Sequence, residues 1–265
     1  MPIDLKLSGK VAIITGGSKG LGAESARLLA ADGARVALVS RTKATLDTFA
    51  TELTQAHKAE VMTIAADLSQ PGSAEPVAEA VLKRFGRIDI LINSAGAAQG
   101  GVFWEIPEKV WEDGFALKFF GTVRMTRAVL PAMIAQGYGR IVHVVGDTGK
   151  QPNPRLLPGA TANAALLALT KGLADEVGPR GIAVNAVNPG PTRTDRIATL
   201  FANLSKSTNK SLDEIEAGFM KDAALGTIGD PADVARVIVF LASDAAANIT
   251  GTSILSDGGR SRAIS

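Results

Sequence analysis

The sequence predicts an α/β protein, a single domain over residues 1–265 built on a doubly wound parallel sheet of about seven strands with helices on both faces. Three observations carry that expectation. Short apolar runs of about five residues alternate with longer amphipathic stretches along the whole chain. The apolar runs are continuous rather than alternating, as strands buried on both faces require. No linker, repeat or low-complexity tract interrupts the 265 residues, a length that α/β folds commonly reach as one unit.

The elements follow in order. Val11–Ile14 reads as a first strand, ending in a glycine cluster that opens a helix over Ala23–Ala31. Arg35–Val39 and Val61–Ala65 read as strands, each followed by a helical stretch, Thr42–His57 and Ser73–Phe85. Ile88–Ile92 precedes a glycine/alanine loop and a long helical stretch at about 104–136. Arg140–Val145 is a fifth strand, Ala160–Val177 a helix and Ile182–Val187 a sixth strand. Asp230, Pro231 and Asp233 suit the N-cap, first and third positions of a further helix. Ser253–Leu255 is a last short strand. The polar, Pro/Thr-led stretch Pro189–Thr227 reads as irregular, with a mobile substrate flap over about 190–227.

Composition narrows the function. Hydrophobic residues at 46% and charged residues at 20% exclude disorder. The balance of 28 basic and 26 acidic residues leaves no basic stripe, and aromatics at 5% leave few stacking platforms, so no nucleic-acid partner is expected. With no cysteine and only His57 and His143, disulfides, thiolate catalysis and a histidine- or cysteine-built metal site are not expected. The N-terminal residues lack the apolar core of a signal peptide, and no apolar run reaches the roughly 18 residues of a membrane span. The expectation is a cytoplasmic protein with no membrane partner.

The richest signal is Thr15-Gly16-Gly17-Ser18-Lys19-Gly20-Leu21-Gly22, at the junction of the first strand and the first helix. Gly16 permits a sharp turn, and Gly20 and Gly22 permit close approach of a pyrophosphate to the helix N-terminus. That makes a Rossmann-like nucleotide site out of Gly16, Ser18, Lys19, Gly20, Leu21 and Gly22. A site for NAD wants a carboxylate at the end of the second strand; this chain has Ser40-Arg41, with Lys19 in the turn. Two cations and no carboxylate suit a 2′-phosphate, so the expected cofactor is NADP(H).

With these motifs in place the chain resembles the short-chain dehydrogenase/reductase family over nearly its whole length. The resemblance rests on the glycine motif, Asp67-Leu68, Asn93-Ser94-Ala95-Gly96, Asn188-Pro189-Gly190-Pro191-Thr192, and Ile249-Thr250-Gly251 with Asp257-Gly258-Gly259. It implies that Asp67 and Leu68 border the adenine. Asn93, Ala95 and Gly96 line the cofactor cleft. Pro189, Gly190, Thr192 and Thr194 hold the nicotinamide end. It also implies a homo-oligomer, tetramer or dimer, paired through the helices at about 104–136 and 160–178. The second of these carries Ala160, Ala162, Ala164, Ala165 and Ala168 at packing positions.

The family's catalytic tetrad does not line up. Counting back from Leu169-Thr170-Lys171 puts Gly159 at the tyrosine position and Asn163 at the lysine position. The serine position falls on Gly146 and the asparagine position on Lys118. The single tyrosine, Tyr138, has Val142 four residues on and packs near the fifth strand instead. The cleft is left with Lys118, Asp147, Thr148, Lys150, Thr161 and Asn163. Lys118, desolvated within a phenylalanine-rich stretch, is a candidate acid or base, against a surface role in which it snorkels to solvent. Asp147 is placed to pair with Lys118, to carry a proton or to cap a turn. Asn163 is left to hold a ribose hydroxyl, and His143 reads as a core histidine. The reading is therefore an NADP(H)-dependent oxidoreductase acting on a small carbonyl or alcohol with non-standard proton delivery. An NADP(H)-binding pseudoenzyme and a non-redox lyase or hydratase stay open beside it. Arg41→Asp is expected to move preference from NADPH toward NADH, read by fluorescence titration with each nucleotide.

Overall fold

The computed structural model describes residues 4–96 and 99–262, without the side chains of Lys206 and Ser207. Its seven strands are β1 (Val11–Thr15), β2 (Arg35–Ser40), β3 (Val61–Ala65), β4 (Ile90–Asn93), β5 (Gly139–Val144), β6 (Ile182–Pro189) and β7 (Ser253–Ser256). All pair in parallel, in the order β3-β2-β1-β4-β5-β6-β7. The order reverses between β1 and β4, so the connections after those two strands leave on opposite faces and open a crevice at their C-terminal ends.

Side-chain alternation along the strands builds two separate cores. On β1, Ala12 and Ile14 face α1 (Gly20–Ala31), α2 (Lys43–His57) and the late helix Pro231–Leu241, where they join Leu29, Leu46, Leu53, Val234 and Ile238. Val11 and Ile13 face the other side, with Val77 and Val81 of α3 (Glu75–Phe85) and Met125 and Val129 of the helix Thr122–Gln136. Burial on both faces explains why these strands read as unbroken apolar runs.

The expected long helix near 104–136 is composite. α4 (Glu108–Phe115) runs into a π-helical segment, Ala116–Gly121, and then into α5 (Thr122–Gln136). At the start of the π segment the Ala116 carbonyl accepts from Arg124 Nη1 at 3.0 Å, which also donates to Leu68 O and Ser69 O at 2.9 and 3.1 Å. Such segments are frequent at functional sites, and this one carries Lys118. α6 (Leu157–Val177) follows β5.

The stretch Pro189–Thr227, expected to be irregular, is mostly helical. It holds α7 (Asp195–Thr208) and α8 (Leu212–Asp222). Ile197, Phe201 and Leu204 lie at helical spacing and pack with Ile215, Phe219, Met220 and Ile228 in a small core of their own. Ser211 and Glu214 form a reciprocal capping box at the start of α8. Sparse apolar residues at the right period outweighed the polar composition of the middle. The last helix, α9 (Pro231–Leu241), begins at the expected cap, where Asp230 accepts from the Ala232 N–H at 2.7 Å. Among the described residues no helix is long and apolar enough to cross a membrane.

β4 starts at Ile90 rather than Ile88, because the Gln136 side chain takes up both the N–H and the carbonyl of Ile88, at 3.1 and 2.8 Å. Next to it, Asp89 is fully buried and accepts from the Val11 N–H at 2.9 Å and from Arg87 Nε at 2.8 Å, which fastens the start of β1 to β4. Asp89→Ala orphans that buried N–H and is expected to cost about 2 kcal/mol of stability, measured by urea unfolding.

Candidate active site

The crevice forms where three loops meet above β1, β4 and β6. Gly16 has φ +67°, and a Cβ there would lie 3.1 Å from the Ser94–Ala95 backbone, so the glycine turn and the loop after β4 are in direct contact. The buried Thr15 hydroxyl accepts from the Ser94 and Ala95 N–H groups, both at 3.1 Å, and sets that loop's height. A Cβ on Gly22 would lie 2.5 Å from Gly16 O, so only glycine lets the first turn of α1 press onto the strand-end turn. A Cβ on Gly20 would meet the Thr194 methyl at 3.5 Å, which puts the start of α7 over the start of α1.

The crevice fits a dinucleotide. No side chain caps α1 and no acidic residue stands in its first turn, so the first N–H groups are open to an anion. At the end of β2, Ser18 Oγ donates to Ser40 Oγ at 3.3 Å, and Arg41 projects from the exposed residue beyond. Asp67 is bound to the Ser69 hydroxyl at 2.7 Å and its N–H at 3.1 Å, which holds its carboxyl below the usual range. Leu68 is buried in the core between α3 and α5. Lys19 reaches Asp195 of α7 at 4.0 Å between two exposed side chains. On the other wall, Gly190 N–H donates to Ser256 O at 3.2 Å, and a Cβ at Gly190 would lie 2.8 Å from Asp257. Thr192 and Thr194 donate to Gly190 O and Thr192 O, at 3.0 and 3.3 Å.

At the reacting end the structure spaces the candidate residues apart. Asn93 is buried, donates to Thr126 Oγ1 at 3.2 Å, and leaves its Oδ1 without a partner. Asn163 is buried, donates to Thr148 Oγ1 at 2.9 Å, and its Oδ1 is a second orphan. A buried, unpartnered amide oxygen is a place for a hydroxyl donor such as a ribose. A Cβ at Gly146 would lie 3.0 Å from Asn163 Nδ2, so these two positions share one tight space. Asp147 faces Arg260 at 3.9 Å, and no contact joins it to Lys118. Burial raises its carboxyl above the usual range. Lys150 donates to Ser253 O at 3.3 Å, and Thr161 turns back onto its own helix carbonyls.

Lys118 is buried at 8% exposure, with its stem packed where a Cβ of Gly96 would lie, 3.0 Å from its Cγ. The neighbouring phenylalanines point elsewhere: Phe119 packs with Val145, Leu166 and Ala186, and Phe120 is exposed under Arg124. Burial, with Arg196 of α7 adding like charge, pushes the Lys118 ammonium from its ordinary 10.5 down to about 7. Tyr138 lies far from this chemistry, between Lys10 and Arg140 at 3.7 and 4.5 Å, with its hydroxyl on Asp244 at 3.0 Å. His143 is buried, bonded through Nδ1 to Thr170 Oγ1 at 3.0 Å, and burial pushes its imidazole down to about 4. Arg124, Arg196 and Arg260 were not singled out by sequence reasoning, which placed Thr15 and Thr148 near the cleft without these bonds. Each acts across a long sequence separation, which leaves no local signal.

Comparison with known proteins agrees with this fold. The family model described as short chain dehydrogenase matches residues 10–205, and the chain belongs to the short-chain dehydrogenase/reductase family. It is 33% identical over 255 residues to the 3-oxoacyl-(acyl-carrier-protein) reductase FabG of Vibrio cholerae, covering 96% of this chain and 98% of that one. It is 32% identical over 266 residues to the uncharacterized oxidoreductase YvrD of Bacillus subtilis, covering 99% and 100%. Among solved structures, L-sorbose reductase of Gluconobacter frateurii, complexed with NADPH and L-sorbose, superposes with a TM-score of 0.94 at 31% identity, covering 99% and 100%. A variant of actinorhodin polyketide ketoreductase with NADPH gives 0.92 at 30% identity, covering 99% and 100%.

A buried ammonium costs stability as well as lowering its own pKa. Below pH 7 both folded and unfolded chains carry the Lys118 proton and the full penalty applies; between about 7 and 10.5 only the unfolded chain holds it, so native stability rises with pH. Lys118→Met is therefore expected to stabilise most at or below neutral pH, on the order of 1.4 kcal/mol per pH unit of the shift, and to lose that advantage toward pH 10.5. Urea unfolding of both proteins at about pH 6, 8 and 10 checks the sign.

Proposed function

We propose that this short-chain dehydrogenase/reductase oxidoreductase reduces a small carbonyl compound with NADP(H), taking the proton from Lys118. The observation that carries the reading is a buried ammonium beside Gly96, with no anionic partner among the described residues and titrating near neutrality. A general acid works best with a pKa near the operating pH. The relatives that bind NADPH and the open, uncapped N-terminus of α1 support the cofactor.

The nicotinamide, when bound, exchanges a hydride with the substrate carbon. This chain's residues do the rest. The first turn of α1 meets the pyrophosphate, Arg41 and Lys19 meet a 2′-phosphate, and Asn163 Oδ1 accepts from a ribose hydroxyl. Asn93 and the Ala95–Gly96 edge form the floor, and Pro189 to Thr194 the opposite wall. Lys118 holds a proton against the carbonyl oxygen and releases it as that oxygen gains charge. Asp147 is the second ionisable candidate, held by Arg260 on the far side of the cleft. The second reading, a nucleotide-binding protein without turnover, is favoured by the bare glycines at 146 and 159.

Lys118→Met is expected to lower NADPH oxidation by about 100-fold or more while NADPH affinity stays within a few-fold. Reduction by the native protein should fall as pH rises through about 7, since the donor is lost above its pKa. Assays with a panel of ketones, aldehydes, imines and enones check both. Full turnover in the variant would move the proton to Asp147, which Asp147→Asn tests, and tight NADPH binding without turnover on any compound would select the second reading. A homo-oligomer, tetramer or dimer, is also proposed, on the exposure of Trp104 (82%) and Phe120 (47%) along the 104–136 stretch. Light scattering at micromolar concentration should report a mass above that of one chain.

A further inference from the structure

Two cations converge on one edge of the crevice, and neither has an anion among the described residues. Arg196 Nη1 donates to Gly96 O at 3.4 Å, and the Lys118 stem packs against the same glycine. Of the nearby cations, Arg193 is bonded to Glu216, Arg260 is paired with Asp147 and Asp222, and Lys150 is turned to Ser253 O. Asp195, the acid next to Arg196 in sequence, lies exposed with Lys19 at 4.0 Å. The exposed Arg196 guanidinium and the buried Lys118 ammonium repel, and burying Lys118 without a counter-charge is unfavourable. The arrangement becomes favourable when an anion enters between them. Lys118 is itself more than nine-tenths buried and unpartnered, which distinguishes the spot from an ordinary basic surface.

We infer that Arg196 and Lys118 form a carboxylate site, so that the substrate is a short oxo acid whose carboxylate lies on the Arg196 guanidinium and whose carbonyl oxygen lies at Lys118. This rests on the reductase reading above and names its substrate class. A planar guanidinium matches a carboxylate in two-point geometry. Both side chains border one glycine, which favours a short oxo acid over a long one. The bound carboxylate also offsets the repulsion from Arg196 and keeps Lys118 protonated until it gives its proton to the carbonyl oxygen. Among the described residues no other charge forms an ion pair with Lys118 or Arg196. On α4, Lys109 and Asp113 pair with each other and Glu112 is exposed; on α5, Arg124 is turned to backbone carbonyls; and α6 carries no charged residue before Lys171.

Calorimetric titration of the NADP⁺-saturated protein with malonate, with dimethyl malonate as the neutral control, reads the site without turnover. Malonate should bind about tenfold or more tighter to the native protein than to Arg196→Gln. At about pH 7.5 its binding should take up protons, seen as a heat that varies with buffer ionisation enthalpy and is absent in Lys118→Met. Equal affinity for malonate in native and Arg196→Gln proteins overturns the inference. So does an Arg196→Gln variant that loses NADP⁺ affinity but keeps malonate, since Arg196 would then serve a cofactor phosphate. In turnover, a short oxo acid should exceed its methyl ester about tenfold or more in kcat/KM, and Arg196→Gln should collapse that ratio toward one. An ester as good as its acid overturns the inference while leaving the reductase reading intact. Malonate binding with no turnover of either compound supports the site and sinks the reductase reading.

Discussion

Burial of the sheet on both faces is the constraint on which the rest of the molecule depends. Because β1 sends alternate side chains into two separate cores, every crossover must carry a helix to one face or the other. The reversal of strand order between β1 and β4 then leaves one place where neighbouring connections part, and the crevice is that place. Asp89, buried and bonded to Val11 N–H and Arg87, keeps these two strands in register at the far end of the sheet.

Above the sheet, close backbone contacts do the shaping. Gly16 lies against Ala95, Gly22 against Gly16 and Gly190 against Asp257, so three loops from distant parts of the chain meet without side chains between them. The helical pair α7 and α8 lies over this junction through Thr194 and Gly20. The C-terminal segment holds it from behind: Arg260 spans Asp147 and Asp222 and stacks over Phe219 at 5.0 Å. The segment thus has a small core of its own and is fastened at two edges.

Burying the Lys118 ammonium carries an energetic cost. Lys118 is held in a π-helical segment that Arg124 and the Thr122 hydroxyl stabilise, the latter donating to Lys118 O at 2.8 Å. The same placement that desolvates the ammonium brings its pKa to the range where a proton moves easily in either direction. Asn93 and Asn163 each leave a buried amide oxygen without a partner among the described residues, where a hydroxyl donor can be accepted.

The order and type of the strands were legible because two-sided burial writes continuous apolar runs, and the glycine turn because close approach of backbones admits one residue type. The start of α9 was legible from Asp230 and Pro231, since a cap acts within one turn. The helices α7 and α8 were obscured by polar neighbours, although the Ser211–Glu214 box was there to be read. The sequence by itself determined the fold, the strand ends where the crevice opens and the residue types around it. Tertiary structure alone decided that Lys118 lies against Gly96 near Arg196 while Asp147 faces Arg260, and that Lys10 and Arg140 are the partners of Tyr138. The physical reason is range: periodicity and capping act over a few residues, whereas desolvation and charge pairing depend on which distant segments fold against each other.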